Sequence, residues 1–446
     1  MIHRDIIAAI ATAPGRGGIG VVRVSGPELP RFAAGLTPRL LQPRRALLTS
    51  FLDAAGLPID EGLALFFAAP HSYTGEDVLE LQGHGGPVVM RQLLQRCLEL
   101  GARLARPGEF TERAYLNGRM DLAQAEGVAD LIEASTALAA RAALRSLQGD
   151  FSELIQKLTT RIVALRTLLE ATLDFPEEEV EFLTAGRAQQ QLSVLREQLD
   201  ATLAATRQGS LLRDGIQAVL IGEPNVGKSS LLNRLAGEDI AIVTEVPGTT
   251  RDAVREQIDI DGVPVYIIDT AGLRETTDAV ERIGISRTWA MIEKADLALL
   301  VADASAADDG ANRAIIGRLP AGLARIRVMN KIDLARRKGA RETTGTEERV
   351  WVSAKTGEGL PMLKQAIWDR AGWHPSGEGL FTARARHIEA LQAAQCHLAA
   401  AAGLTDRLEL YAEELRLAHE ALGGITGEYT ADDLLGEIFS SFCIGK

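Results

Sequence analysis

Apolar residues recur along this chain with two different periods, and the change from one to the other divides it. Up to about residue 118, short β-type runs alternate with turns. Ile6 to Thr12, Val21 to Val24, Leu63 to Phe67 and Val78 to Leu81 predict strands, and Val88 to Leu100 predicts a helix. Residues 1–118 therefore read as a small α+β domain. Over 119–213 the spacing lengthens to three and four. Phe151, Leu154, Leu158, Ile162, Leu165 and Leu169 fall on one helix face, with charged residues between them. Asp174-Phe175-Pro176, followed by Glu177, Glu178 and Glu179, predicts a break and a new helix start, since Pro and acidic residues suit a first turn. Residues 214–374 change to strands alternating with helices. The last part, 375–446, is helical again, rich in Ala, Leu, Glu and Arg from Phe381 to Leu422. Two helical blocks around an α/β block predict one helical domain carrying an inserted domain whose ends lie close together.

The inserted block has the most informative stretch. Ala218 to Ile221 reads as a buried strand that runs into Gly222-Glu223-Pro224-Asn225-Val226-Gly227-Lys228-Ser229-Ser230, and Leu231, Leu232 and Leu235 open a helix behind it. G-x-x-x-x-G-K-[ST] on strand, loop and helix is a phosphate cradle. Glycines let backbone N–H groups turn toward phosphates, Lys228 meets the β- and γ-phosphates, and the Ser229 hydroxyl meets Mg²⁺. Further on, Thr244-Glu245-Val246-Pro247-Gly248-Thr249-Thr250 forms a polar loop in which Thr250 is the candidate to complete the Mg²⁺ shell. A hairpin turning at Asp261-Gly262 delivers Asp269-Thr270-Ala271-Gly272, where Asp269 would support Mg²⁺ and the Gly272 N–H would sense the γ-phosphate. Two more core strands, Ala295 to Asp303 and Ile326 to Asn330, lead to Asn330-Lys331-Ile332-Asp333. A carboxylate at Asp333 can accept from N1–H and the 2-amino group of guanine, which adenine lacks, so the site selects GTP. Ser353-Ala354-Lys355 then offers a backbone N–H to guanine O6. Five elements in this order predict a Ras-like P-loop GTPase domain.

The position after Gly272 is Leu273, where Ras-like enzymes carry the glutamine that orients the attacking water. Leucine cannot do this. Another group must orient water, and Glu281 is the candidate. Transition-state charge must also be met by something in place of an arginine finger, a contribution of about 10³ to 10⁵ in rate. Arg251 or Arg274 is a candidate for a structural part, and an alternative source of charge is a monovalent cation held by the Asn225 side chain.

Composition narrows the partners. A net charge of -12 argues against a broad basic surface, so a nucleic-acid partner would need a local basic patch or another subunit. Three scattered cysteines, Cys97, Cys396 and Cys443, suggest a reducing compartment. With no signal pattern and no long apolar run, a soluble cytoplasmic protein with no membrane partner is expected. The terminal Cys443-Ile444-Gly445-Lys446 ends in Lys, which is not a usual prenylation-specifying residue. Gly15-Arg16-Gly17-Gly18-Ile19-Gly20 has the letters of a dinucleotide motif but is followed by a strand rather than a helix. His84, in a second glycine cluster, reads as a turn residue.

The phosphate loop with Gly248-Thr249-Thr250-Arg251-Asp252 resembles the Era, EngA and MnmE group of bacterial GTPases. Outside the GTPase block the resemblance sharpens to the MnmE (TrmE) family. It rests on Pro14 to Gly18, Thr74-Gly75-Glu76-Asp77, Leu81 to Gly86, Arg106-Pro107-Gly108-Glu109-Phe110-Thr111, Asp121 to Glu126 and Phe442 to Lys446. It covers essentially the whole chain. The resemblance implies an α/β multi-domain fold with an amino-terminal α+β folate-binding and dimerisation domain, an all-α helical domain and an inserted Ras-like GTPase domain. It implies a K⁺-dependent GTP hydrolase that, with the flavoprotein MnmG in a heterotetramer, adds a carboxymethylaminomethyl or aminomethyl group to carbon 5 of the wobble uridine of certain tRNAs, with no DNA partner. Carried over by position, K⁺ would be held by the Asn225 side chain and by Thr244, Val246 and Thr249. Mg²⁺ would be held by Ser229 and Thr250, with Asp269 acting through water, and Glu281 would orient the attacking water. Formyl-tetrahydrofolate or a related one-carbon folate would meet Arg23, Glu80, Arg119 and Lys446. Cys443 is the family's candidate for redox or modification chemistry, and equally a packed tail residue.

Two other readings stand beside this one. A ribosome-assembly RNA-binding GTPase of the Era or EngA type would carry a KH-like module. Gly424-Ile425-Thr426-Gly427 has the G-x-x-G letters, but Glu428 follows and no basic residue lies within the loop. A stand-alone folate enzyme regulated by GTP would need a separate aminomethyl donor site, which the sequence does not offer.

Overall fold

The computed structural model describes residues 5–174, 181–236, 255–269, 288–305, 313–344, 347–374, 379–428, 432–440, 442 and 445. They form two compact units, one of residues 1–129, 147–185 and 400–446, the other of residues 130–146 and 186–399.

The first unit is built on strands β1 (Ile7–Ile10), β2 (Gly20–Gly26), β3 (Leu47–Leu52), β4 (Pro58–Phe67), β5 (Asp77–Gly83) and β6 (Arg103–Leu104), in the sheet order β3-β4-β5-β2-β1-β6. Their alternation buries one face. Val22, Val24, Leu79 and Leu81 meet Leu29, Phe32 and Leu36 around helix α1 (Leu29–Ala34), together with Leu93 and Cys97 of helix α2 (Pro87–Glu99). α2 starts with Pro at its first position, where no N–H partner is lost. Helix α3 (Glu109–Leu116) follows, then α4 (Leu122–Glu133); α5 (Ala137–Gln148) belongs almost wholly to the second unit, and α6 (Asp150–Asp174) to the first. The three-and-four spacing of α6 buries Phe151, Leu158, Ile162, Leu165 and Leu169 as predicted, but Ile155 rather than the half-buried Leu154 completes the face. A helix supplied by the far end of the chain, Leu408–Thr426, lies along it.

In the second unit a 34-residue helix, α7 (Glu181–Asp214), leads into strand β7 (Ile216–Gly222). β7 is the continuous apolar run expected of a strand covered on both faces. Helix α8 (Lys228–Ala236) comes next, then β8 (Arg255–Ile260), β9 (Val263–Asp269), β10 (Leu297–Asp303), α9 (Arg313–Arg318), β11 (Ala324–Asn330), α10 (Ile332–Ala335), β12 (Ala340–Thr344), β13 (Glu347–Trp351), α11 (Leu360–Ala371) and α12 (Ala385–Ala401). The sheet order is β12-β13-β11-β10-β7-β9-β8, with β13, β11, β10, β7 and β9 mutually parallel. The hairpin turn predicted at Asp261-Gly262 is present. Both residues have positive φ, 53° and 89°, as a two-residue primed turn needs.

The two ends of the inserted block meet. Arg213, at the end of α7, and Arg384, just before α12, bond the same Oδ1 of the buried Asp130 at 2.9 and 2.8 Å. Helix α13 (Leu408–Thr426), already met beside α6, and α14 (Asp432–Ser440) complete the first unit. Among the described residues no helix is long and apolar enough to cross a membrane.

Candidate functional site

The parallel strands of the second unit end on one edge. Register pairs Val301 with Gly222, Asp303 with Asn330 and Leu220 with Asp269, so the predicted motifs lie together at the carboxyl ends of their strands. Ligands of open α/β sheets bind at such an edge. The sharp turn out of β7 is made by Asn225 at φ 67° and Gly227 at φ 92°. A Cβ at Gly227 would stand 2.5 Å from the Asn330 amide nitrogen, so glycine is required there. α8 then starts, with Leu231 N–H donating to the Gly227 carbonyl at 2.9 Å and Ser229 and Ser230 exposed in its first turn. Lys228 Nζ donates to the Gly222 and Glu223 carbonyls at 2.8 and 3.0 Å. The ammonium is thereby held across the mouth of the cradle, where phosphate oxygens can replace neutral carbonyls as acceptors.

Asn330 does more than the sequence indicated. It is 1% exposed, donates from Nδ2 to the Val226 carbonyl at 2.9 Å, and accepts at Oδ1 from the Ala354 N–H at 3.0 Å. One buried amide thus ties the phosphate loop to the loop at Ser353-Ala354-Lys355. Asp333 Oδ1 accepts from Ser353 Oγ at 2.7 Å, which fixes the carboxylate beside that loop. Lys331, at φ 64°, donates from Nζ to Asp303 at 2.8 Å. Burial pushes the Asp303 carboxyl up, but hydrogen bonds from Lys331 and Ser305 outweigh it and hold the group down at about 2. Asp303 was not singled out in the sequence. Its only signal there is a carboxylate closing a core strand.

Thr244, Glu245, Val246, Pro247, Gly248, Thr249, Thr250, Thr270, Ala271, Gly272 and Glu281 lie outside the described residues, as do Leu273, Arg251 and Arg274. Asp269 closes strand β9.

The first unit holds the second group of predicted residues. Arg23 and Glu80 are directly opposed on β2 and β5, and the guanidinium bonds Glu80 Oε1 through Nε at 3.1 Å and Nη2 at 2.9 Å. Arg23 also lies 5.4 Å from the Tyr73 ring centre and 5.8 Å from that of Phe110, aromatic partners the sequence did not flag. Its Nη1 reaches the Gly445 carbonyl at 3.5 Å, which brings the carboxyl-terminal tail to the pair. Arg119 is exposed and lies beside Gly75, where a Cβ would stand 3.2 Å from its Cγ. Lys446 and Cys443 lie outside the described residues. The same unit holds a charge network that ties two of the quoted motif blocks together: buried Arg113 bonds Glu109, Glu76 and Asp5 at 3.1, 3.0 and 2.9 Å.

A phosphate cradle on β7 and α8, tied by Asn330 to the loop at Ser353-Ala354-Lys355, whose Ser353 in turn holds Asp333, defines a P-loop GTPase. The comparisons with known proteins place it more narrowly. The family described as the GTP-binding protein TrmE N-terminus matches residues 6–119, and the family described as the MnmE helical domain matches residues 122–443. The tRNA modification GTPase MnmE of Azoarcus sp. is 62% identical over 99% of this chain and 98% of its own length. That of Nitrosomonas europaea is 58% identical over 100% of both. The G domain of the T. maritima FeoB iron transporter aligns at 27% identity over 35% of this chain and 98% of its own, with a TM-score of 0.26. This chain belongs to the MnmE (TrmE) family of tRNA modification GTPases.

Proposed function

We propose that this GTPase hydrolyses GTP in a K⁺-dependent way and, with an MnmG-type flavoprotein, installs an aminomethyl-type substituent at carbon 5 of the wobble uridine of certain tRNAs. The observation that carries the reading is the Asn330 link between phosphate loop and base loop, in a chain that matches MnmE relatives over its full length. Lys228 leaves the Gly222 and Glu223 carbonyls for the β- and γ-phosphates, the Ser229 and Ser230 N–H groups face the phosphates, and Asp333 accepts from guanine. Exposed Ser229 at the start of α8 suits Mg²⁺, with Thr250 and Asp269 completing the set. Exposed Asn225, turned outward by its left-handed backbone, suits K⁺, with Thr244, Val246 and Thr249 as the other ligands. These cations supply positive charge where the phosphates gain negative charge, the part an arginine finger plays elsewhere. Glu281 orients the attacking water and Gly272 reports the γ-phosphate.

In the first unit, Arg23 and Glu80 form the polar floor and Tyr73 and Phe110 the aromatic wall of a one-carbon folate site, completed by Arg119 and Lys446. The domains run 1–118, 119–213 with 375–446, and 214–374, and the amino-terminal domain makes a homodimer. A cytoplasmic location follows from a tRNA substrate. A strain lacking this gene is expected to lose the carbon-5 substituent of wobble uridine in nucleoside mass spectrometry. An unchanged profile would overturn the reading in favour of a ribosome-assembly GTPase.

A further inference from the structure

The question left by an acidic chain that acts on a polyanion is where the two touch. Residues 29–52 contain Arg31, Arg39, Arg44 and Arg45 and no carboxylate, in a chain whose Asp and Glu outnumber Lys and Arg by 60 to 48. The fold gathers these arginines on the surface of the first unit, and all four are exposed. After α1 the chain runs past β4, where Pro43 bridges Phe66 and the Arg44 N–H donates to the Phe66 carbonyl at 2.8 Å. A cavity of about 210 Å³ opens between this segment and α1, lined among others by Pro30, Ala33, Thr37, Arg39, Leu40 and Phe66, with no carboxylate in its wall.

Three details separate this surface from an ordinary solvated face. Arg31 is offset by Glu28 at 3.2 Å, but Arg39, Arg44 and Arg45 make no ion pair among the described residues. Arg45 bonds the neutral Gln42 amide at 2.7 Å and Arg44 the His71 carbonyl at 2.9 Å, so their positions are fixed while their charge stays uncompensated. Arg44 holds a left-handed backbone, φ 60°, which side-chain-bearing residues rarely adopt. Leu40 is 89% exposed beside these cations, an apolar side chain offered to solvent at the pocket rim.

We propose that this surface docks a single-stranded loop of RNA, with phosphates along Arg39, Arg44 and Arg45 and one unstacked base in the pocket against Leu40 and Phe66. The proposal rests on the tRNA reading above and gives it a contact surface. Duplex RNA would offer the arginines its phosphates but could not fill the pocket, because its bases stay stacked. A loop offers both. The local excess of arginine also explains how an overall acidic chain can hold a polyanion, since screening confines charge effects to about 8 Å at physiological salt.

The test titrates a fluorescein-labelled hairpin RNA with an unpaired loop into the full-length protein, following anisotropy at several salt concentrations. The combined variant Arg39→Ala, Arg44→Ala, Arg45→Ala should bind about tenfold or more weakly and lose about 0.7 from the log–log salt slope for each arginine removed. The matching triple Lys variant should keep most of the affinity. Leu40→Ser should weaken hairpin binding while leaving a blunt duplex of the same stem unaffected. GTP turnover without RNA should be unchanged in all three. Undiminished hairpin binding by the triple Ala variant overturns the docking surface while the tRNA reading stands. Loss of self-association by the Leu40→Ser variant in sedimentation overturns it in favour of a contact between copies of this chain. If the deletion strain keeps its carbon-5 substituent, the tRNA reading itself falls, and the docking proposal with it.

Discussion

Glu109, which the sequence offers only as one letter of a family block, shows how much one residue can carry. Burial pushes its carboxyl up, but hydrogen bonds from Arg103, the Arg106 N–H and Arg113 outweigh this and lower it to about 2. A carboxylate with a depressed folded-state value stabilises the fold above its ordinary value near 4.5, and that contribution is lost as pH falls toward about 2. The thermal midpoint should therefore drop on acidification through that window. In Glu109→Gln the drop should be shallower and should start from a lower midpoint at neutral pH, because buried Arg113 keeps Glu76 and Asp5 but loses one of its three charge partners. Equal acid slopes in the two proteins would assign the loss to other carboxylates. At this scale the sequence was legible where residue type and spacing carry the chemistry, as at Lys228, Asn330 and Asp333. It was silent on Arg113 and Asp303, and on what Glu109 does within its block, because their partners are distant in sequence or have no motif.

Elements were legible where a local rule determines them. The Asp261-Gly262 hairpin, the strand before the phosphate loop and the apolar stripe of α6 all lie where pattern and turn chemistry put them. Strand β3 and the edge strand β12 were not foreseen, whereas β13 is the strand expected just before Ser353. β3 is short and half exposed, and β12 sits at a sheet edge, so neither carries a clear period of two. Gly209 shows the same gap inside a helix. Intrinsic propensity says that Ala in the interior of α7 should be better by about 1 kcal/mol. The fold says otherwise, because a Cβ there would stand 2.1 Å from the Phe381 carbonyl oxygen. Gly209→Ala is expected to lower the melting temperature, and a higher one would mean that the 381 segment can retreat without cost.

At the scale of the molecule, the sequence told which faces were apolar but not which neighbour covers them. Residues 130–146, helical by pattern, pack in one unit with the inserted strands, and Thr136 Oγ1 donates to the Gly262 carbonyl at the hairpin turn at 2.6 Å. The K⁺ reading belongs to this scale too, because the proposed homodimer brings two GTPase domains into one molecule, where they can pair. GTP turnover per molecule should rise when K⁺ replaces Na⁺ at equal ionic strength. Equal rates in the two salts would remove the cation from the mechanism. The pairing of α6 with α13 has a consequence for how the chain is made. α6 ends at Asp174 and its partner begins at Leu408, so the ribosome must add the whole inserted block between them. At about 5 to 20 residues per second this takes on the order of 10 to 50 s. During that interval Leu158, Ile162 and Leu165 wait for the helix that will cover them, which makes the nascent chain a client for chaperones that bind apolar helices.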